Sequence, residues 1–274
     1  MENRFFEEIN GFYFIGIGGV SMSGLAKFLL SLGKKIGGSD IIESEYTLEL
    51  EKLGVKINFG TAKGSVAEYD AVVYTDAIAE NDFHLCEARA LNKNIISRGH
   101  LLKRVSEMFG EVIAISGCHG KTTCTAMLAH IFYKAGKKFA AHIGGRDNVF
   151  SNFYFCGYDY FITEACEYKK NFLLLEPDIA AVLNEGADHL ECYGSRSNLI
   201  AAYTDFLKNA KNAVCLSGIA GGISFGFKNA DYSAVNITEC GGKYSFDICE
   251  KAVKKGTVNL SVYGKHNILN ALAA

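Results

Sequence analysis

The sequence lacks the long apolar runs, basic clusters and paired cysteines that mark several classes of protein. No apolar stretch approaches the ~18 residues that a membrane-spanning helix requires. Acidic residues outnumber the one arginine in Met1–Asn10, which excludes a secretion signal. The nine cysteines include no C-x-x-C pair, a pattern more typical of buried reduced thiols than of a disulfide framework or a zinc site. These absences predict a soluble protein of the cytoplasm.

Charge and composition narrow the choice of partners. A net charge of -2, with no basic run, argues against nucleic acid or an anionic membrane as the main partner. The chain has 274 residues, of which 49% are hydrophobic and 21% are charged, so it can bury the cores of about two domains. A small-molecule substrate is therefore expected.

Strand and helix patterns alternate along most of the chain and predict an α/β protein with two units. In the first, residues 1–108, apolar strands alternate with amphipathic helices, as in a Rossmann-like parallel sheet. The second, residues 109–274, starts with a strand at Glu111–Ser116 and continues with runs of Val, Ile and Ala that are typical of parallel sheets. Short alternating strands from Gly221 to Val262 predict a small antiparallel extension.

One segment, Ile113-Ala-Ile-Ser-Gly-Cys-His-Gly-Lys-Thr-Thr123, has the pattern of a loop that holds nucleotide phosphates. An apolar strand leads into Gly-x-x-Gly-Lys-Thr, and a helical pattern follows. The glycines let main-chain N–H groups close on the phosphates, Lys121 supplies a positive charge, and the Thr122 hydroxyl can ligate Mg²⁺. The segment predicts ATP and Mg²⁺ as ligands; the alternative is a plain glycine turn.

A second glycine turn, Gly16-Ile-Gly-Gly-Val-Ser-Met-Ser-Gly24, lies between a strand and a helix, with Asp40 about twenty residues further on. The arrangement resembles a dinucleotide site, but serine replaces the third glycine of the usual motif at Ser21. Main-chain N–H groups and a helix N-terminus still favour a diphosphate there. The alternative is that these glycines only permit tight packing.

Acidic residues and a histidine follow two later strands. Glu164 and Glu167 come after a strand that ends at Thr163, and Asp188 and His189 come after the next predicted strand. Because the carboxyl ends of parallel strands meet at one edge of a sheet, these groups are expected beside the phosphate loop. Oxygen ligands suit Mg²⁺, so Glu164 is a candidate ligand, and His189 is an unusual but feasible ligand for a second ion. Taken singly, each residue is more often a solvated loop residue than a ligand, but their shared placement at one edge favours ligands.

Five blocks in order resemble the signature segments of the Mur ligase family. They are Gly16-Ile-Gly-Gly-Val-Ser-Met-Ser-Gly-Leu-Ala26, Ser116-Gly-Cys-His-Gly-Lys-Thr-Thr123, Glu164-Ala-Cys-Glu-Tyr168, Ala187-Asp-His-Leu190 and Tyr263-Gly-Lys-His-Asn-Ile-Leu-Asn-Ala-Leu-Ala-Ala274. The resemblance is greatest to members that join L-alanine to UDP-N-acetylmuramate. It implies a UDP-sugar-binding domain, a central ATPase domain, and a third, C-terminal domain that this chain lacks or that acts as a separate partner.

The resemblance also implies roles for individual residues. Lys121 would hold the ATP phosphates, Thr122 and Glu164 would bind Mg²⁺, and His189 would hold a second ion, so that Lys121, Glu164 and His189 form the catalytic set. The implied ATP-binding residues are Gly117, His119, Gly120, Lys121, Thr122, Thr123, His266, Asn267 and Asn270. The implied UDP-sugar residues are Gly18, Gly19, Ser21, Ser23 and Asp40.

Some positions depart from the family pattern. Cys118 stands where the family usually has threonine, and Asn184-Glu-Gly186 replaces the more usual Asn-Ile-Glu. These departures leave open a module that binds the UDP-sugar and the nucleotide but no longer ligates them. An oxidoreductase that uses the first glycine turn is a further alternative, which Ser21 and the ATP-type loop disfavour.

Overall fold

A computed structural model describes residues 4–60, 64–186 and 190–274 of the chain. The chain folds into two compact units. The first runs to Phe109 and also includes His142–Cys156, and the second comprises Gly110–Ala141 and Gly157–Ala274.

The first unit is built on a parallel sheet, as the sequence predicts, and the sheet has five strands. Its strands have the order β3-β2-β1-β4-β5. Their bounds are β1 Gly11–Ile15, β2 Lys35–Asp40, β3 Lys56–Phe59, β4 Ala71–Tyr74 and β5 Asn94–Ser97. The order reverses direction at β1 and β4, and ligands of such sheets bind at the carboxyl ends of the strands beside this reversal.

Helices cover this sheet. They are α1 Arg4–Glu8, α2 Val20–Ser31, α3 Glu45–Lys52, α4 Phe83–Ala90 and α5 Arg98–Ser106. Helix α3 begins at a capping box, in which the Ser44 hydroxyl accepts from the Thr47 N–H and the Thr47 hydroxyl accepts from the Ser44 N–H. Strand β8, Ser151–Phe155, packs on α2, where the buried Phe28 ring contacts Phe153 and Phe155.

In the second unit, parallel strands surround the phosphate loop. The order is β15-β14-β13-β12-β11-β10-β6-β9-β7. The bounds are β6 Glu111–Ser116, β7 Phe139–Asp147, β9 Tyr160–Glu164, β10 Ile179–Val182, β11 Asn212–Leu216, β12 Ile223–Gly226, β13 Tyr232–Cys240, β14 Lys243–Glu250 and β15 Val253–Tyr263. Of β7, only Phe139–Ala141 belongs to this unit. Strand β6 is central and pairs in parallel with both β10 and β9.

The antiparallel extension begins later than the sequence predicts. Strand β12 pairs in parallel with β11 and with β13, so the expectation of antiparallel strands from Gly221 onwards is wrong for β12. Strands β13, β14 and β15 pair antiparallel and form the extension. The alternation of side chains has the same period in both directions, so it does not carry the direction of a short strand.

The helical segments of the second unit are α6 Lys121–Lys134, a 3₁₀ helix at Tyr168–Leu174, α7 Leu190–Tyr193, α8 Arg196–Lys208 and α9 His266–Ala273. Helix α6 starts directly after the phosphate loop. Across the described part of the chain, no helix is both long enough and apolar enough to cross a membrane.

Candidate functional site

The phosphate loop joins β6 to α6 through two glycines in left-handed conformations. Gly117 has φ +127° and Gly120 has φ +88°, values that favour glycine because other residues are strained there. A Cβ atom at Gly120 would also overlap the Asn270 amide. Gly120 is the N-cap of α6 and supplies no side-chain cap, so the first N–H groups of the helix remain suited to an anion.

Lys121 folds back onto this loop. Its Nζ donates to the carbonyl oxygens of Gly117, at 2.6 Å, and Cys118, at 3.3 Å. It also forms an ion pair with the Glu167 carboxylate, with 3.0 Å between Nζ and Oε1. The three donors of the ammonium group thus face three protein oxygens.

Glu167 is the most deeply buried acid at this edge. Its side chain is 1% exposed, and Oε2 has no hydrogen-bond partner among the residues that the structure describes. The Glu167 carbonyl oxygen accepts from the Tyr193 hydroxyl, at 2.5 Å, and from the Lys170 N–H, at 2.9 Å. Burial, and then the charge of Glu167, raises the pKa of Tyr193. The sequence places Glu167 at a strand end but gives it no role.

Glu164 ends β9 and lies opposite Ile115 of β6 in the parallel register. Glu164 therefore lies on the strand next to β6, level with the end of β6 that leads into the phosphate loop. Strand β9 packs against α6. Burial, and then the charge of Glu164, raises the pKa of the Cys124 thiol of that helix to about 12. Thr122 is the second residue of the same helix. Asp188 and His189 lie outside the described residues, and the rest of the chain contains no group of three metal-ligating side chains.

Asn184, in the segment after β10, forms two hydrogen bonds with the backbone of the phosphate loop. Its Oδ1 accepts from the His119 N–H at 3.1 Å, and its Nδ2 donates to the His119 carbonyl at 2.7 Å. Nearby, a Cβ atom at Gly186 would overlap the side chain of Cys118. The two departures at 118 and 186 are therefore neighbours in space: with Cys118 in place, only glycine fits at 186.

A cavity of about 370 Å³ opens beside the loop, within the second unit. It is lined by His119, Gly120, Leu183, Asn184, Leu216, His266, Leu269 and Asn270. Four of these are ATP-binding residues that the sequence predicts. Asn267 is not among the lining residues; it is buried, accepts from Asn270 Nδ2 at 2.8 Å and donates to the Tyr263 carbonyl at 2.7 Å. It orients Asn270.

The glycine turn of the first unit is shaped by Asp40. Oδ2 of this residue accepts from the Gly18 N–H at 2.7 Å, and Oδ1 accepts from the Ile41 N–H at 2.7 Å. Gly16 has φ +79°, and a Cβ atom at Gly18 would come within 2.9 Å of Asp40 Oδ2. Gly19 is the N-cap of α2 and lacks a side-chain cap. The Asp40 carboxylate thus stabilises the turn through its hydrogen bond with the Gly18 N–H. The first N–H groups of α2 remain suited to an anion.

Ser21 and Ser23 differ in their surroundings. Ser23 is fully buried; its hydroxyl donates to Gly19 and Val20 carbonyls and accepts from Asn152 Nδ2. Ser21 instead lies 3.4 Å from an Nη atom of Arg98.

Arg98 is a functional candidate that the sequence does not reveal. Its side chain is only 12% exposed. Besides the long contact with Ser21, its guanidinium has one ion pair, 4.0 Å from Asp76. A guanidinium carries five N–H donors and favours bidentate pairing with carboxylate or phosphate. In the described part of the chain these two long contacts leave N–H donors of a mostly buried arginine that could pair with an anionic ligand.

Under the same turn, His142 is kept neutral. It is 2% exposed and pairs through Nε2 with the Ser21 carbonyl at 3.2 Å. Burial lowers the pKa of His142 to about 4, and the charge of Arg98 adds to the effect.

We expect His142 to make the stability of the protein sensitive to acid. Between pH 6.5 and about 4, the unfolded state binds a proton at this histidine that the folded state does not. Stability therefore falls as pH drops through that window, by up to roughly 3 kcal/mol. Urea unfolding from pH 7.5 to 4.5 measures it. His142→Gln should be less stable at neutral pH but lose less on acidification; parallel curves for the two proteins would contradict the assignment.

Comparison with known proteins agrees with this architecture. The model of the Mur ligase family, catalytic domain, matches residues 11–109, and that of the Mur ligase middle domain matches residues 115–274. The chain belongs to the Mur ligase family. A relative from Clostridium botulinum, named UDP-N-acetylmuramate--L-alanine ligase, is 40% identical over 96% of this chain. The chain spans 60% of the length of that relative.

Solved structures of the family have the same fold. UDP-N-acetylmuramate-alanine ligase from Thermotoga maritima is 29% identical and superposes with a TM-score of 0.88, covering 96% of this chain and 63% of that one. UDP-N-acetylmuramate:L-alanyl-gamma-D-glutamyl-meso-diaminopimelate ligase from Neisseria meningitides is 24% identical, with a TM-score of 0.83, and covers 97% of this chain and 91% of that one. The predicted fold class, a parallel N-terminal sheet and a mixed central sheet, is confirmed.

Proposed function

We propose that this Mur ligase chain takes part in the ATP-dependent joining of L-alanine to UDP-N-acetylmuramate during peptidoglycan precursor synthesis in the cytoplasm. The observation that carries the proposal is one sheet edge, where the loop around Lys121, two acids and a cavity of about 370 Å³ come together. The names of the Clostridium botulinum and Thermotoga maritima relatives support the choice of substrates.

Residues 109–274 form the ATP-binding domain in this proposal. The cavity beside Gly120 has room for an adenine, with His266 and Asn270 along it. The phosphates lie over the N-terminus of α6 and meet Lys121. Mg²⁺ fits the donor set, because Thr122 and Glu164 offer the hard oxygen ligands that this ion prefers and a buried carboxylate oxygen nearby has no partner. His189 is the proposed ligand of a second ion.

The chemistry is a transfer of the γ-phosphoryl group followed by amide formation. A lactyl carboxylate oxygen attacks the γ-phosphorus, and the bond to the β-phosphate bridging oxygen breaks, which gives ADP and an acyl phosphate. The amine of L-alanine then attacks the acyl carbon, loses a proton, and phosphate leaves. Lys121 neutralises the charge that develops on the phosphoryl oxygens, and Mg²⁺ supplies further charge neutralisation when bound. The remaining contribution of the loop is positioning.

Residues 1–108 form the UDP-sugar domain. The diphosphate lies over the N-terminus of α2, at Gly18, Gly19 and Ser21. Ser23 and Asp40 support the turn from within, since their side chains already bond to its backbone. Arg98 adds the positive charge that the turn itself lacks.

We expect Arg98→Ala to weaken binding of UDP-N-acetylmuramate at least about tenfold, the scale of one lost charge-assisted contact. Calorimetric titration with the UDP-sugar measures it. Arg104→Ala is the matched control, because Arg104 lies on the same helix with a half-exposed side chain. Equal affinities for the two variants would show that Arg98 does not touch the diphosphate.

The test of the function is L-alanine-dependent release of phosphate from ATP in the presence of UDP-N-acetylmuramate. A ligase requires all three substrates. Stabilisation of the protein by the UDP-sugar and by ATP with Mg²⁺, but without turnover under any condition, would instead indicate the non-ligating module. Stabilisation by NAD alone would contradict both.

A further inference from the structure

Glu167 is a buried charged group to which the proposed reaction assigns no role of its own. The other acid of the same segment, Glu164, has an assigned role as a magnesium ligand, whereas Glu167 is more deeply buried and leaves Oε2 without a partner. An ionised carboxylate is costly to remove from water unless cations or hydrogen bonds compensate it. Within residues 4–60, 64–186 and 190–274, the cation paired with this carboxylate is Lys121.

Lys121 cannot keep all its present contacts and also hold a phosphate. Its ammonium group has three donors, and these face the carbonyls of Gly117 and Cys118 and the carboxylate of Glu167. At least one contact must break when a polyphosphate arrives. Glu167 is the partner that competes directly with phosphate, because both are anions that seek the same cation.

Of the two partners, Lys121 is the one that can move. The carbonyl oxygen of Glu167 is held by Tyr193 and by the Lys170 N–H. The backbone after it is constrained as well, since Lys169 and Lys170 have φ values of +50° and +61°. Lys121 instead carries its charge on a flexible four-carbon stem. When it turns to the phosphates, Glu167 stays behind, buried and without a cation.

We propose that Glu167 is an additional magnesium-binding carboxylate, and that Lys121 stays paired with it until the nucleotide binds. The proposal rests on the ATP site of the preceding section. As Lys121 turns to the phosphates, a divalent cation bound with the nucleotide replaces it at Glu167, directly or through a bound water. The exchange keeps the buried carboxylate paired in both states and couples nucleotide affinity to Mg²⁺.

The test is calorimetric titration of ADP into the protein, once with EDTA and once with Mg²⁺. In Glu167→Gln, Lys121 is released from a carboxylate, so metal-free ADP should bind about tenfold more tightly than to the unmodified protein. The same variant should lose most of the enhancement by Mg²⁺. Adenosine, which has no phosphate, should bind both proteins equally. Glu239→Gln, an exposed acid on β13, is the matched control and should change none of these affinities.

A merely structural role for Glu167 would weaken ADP binding in both conditions, and that result would overturn the proposal, as would an unchanged enhancement by Mg²⁺. If Glu167→Gln does not fold, Glu167→Asp provides the same test, because it keeps the charge but withdraws it from Lys121; the enhancement by Mg²⁺ should again fall. Failure of the unmodified protein to bind ADP at all would contradict the ATP site itself. The two failures are therefore distinguishable.

Discussion

Lys121→Ala should lower the rate of phosphate release at least about a hundredfold at saturating substrates. The transferring phosphoryl group gains negative charge in a partly dehydrated site, and the ammonium of Lys121 is the charge that the loop provides there. The substitution also leaves the buried Glu167 without its cation, so some stability should be lost with the activity.

Initial rates measured with a coupled phosphate assay give the effect on turnover. Lys134→Ala is the control, because Lys134 lies at the opposite end of the same helix, α6. Thermal unfolding of both variants shows whether a loss of turnover comes from a loss of stability or from the missing charge. Near-normal turnover in folded Lys121→Ala would mean that the loop does not bind the reacting phosphates.

The phosphate loop could be predicted because its information is local. Strand, glycines, lysine and helix follow one another within eleven residues, and the structure places β6 at Glu111–Ser116 and begins α6 at Lys121, as the pattern predicts. The sheet edge could be predicted for the same reason: strands that alternate with helices are parallel, so their carboxyl ends meet.

The sequence does not predict residues whose roles depend on contacts between distant parts of the chain. Asn184 bonds to both backbone groups of His119 across 65 positions of sequence, and Arg98 reaches Ser21 across 77. No local pattern marks such pairs. Glu167 was seen as an acid at a strand end, but its burial and its contact with Lys121 follow only from the packing of the 3₁₀ segment and α7 around it.

The sequence pattern does not indicate strand β2, for a different reason. Its sequence, Lys35-Ile-Gly-Gly-Ser-Asp40, contains two glycines that usually weaken a strand. In the fold these glycines are required, because a Cβ atom at Gly37 would overlap the Tyr69 ring and one at Gly38 would come within 2.9 Å of Ile17. Close packing against the sheet overrides strand propensity here.

Glu164→Ala should weaken Mg²⁺-dependent binding of ADP by about a hundredfold, because loss of a direct carboxylate ligand costs at least as much as loss of a group that only orients one. Binding of ADP in EDTA should change little, since the ion pair of Lys121 with Glu167 is left intact. Calorimetry under the two conditions measures the difference.

Glu164→Gln distinguishes the effect of the charge from that of side-chain volume, because glutamine keeps the volume and one neutral oxygen but not the charge. It should lose most of the enhancement by Mg²⁺ if the carboxylate binds the ion, and little if Glu164 only packs against α6. The two acids then differ in EDTA: removal of the Glu167 charge strengthens metal-free binding, whereas removal of Glu164 leaves it unchanged. Equal losses with and without Mg²⁺ in Glu164→Ala would exclude this residue as a ligand, because a group that acts only through the ion cannot affect binding in its absence.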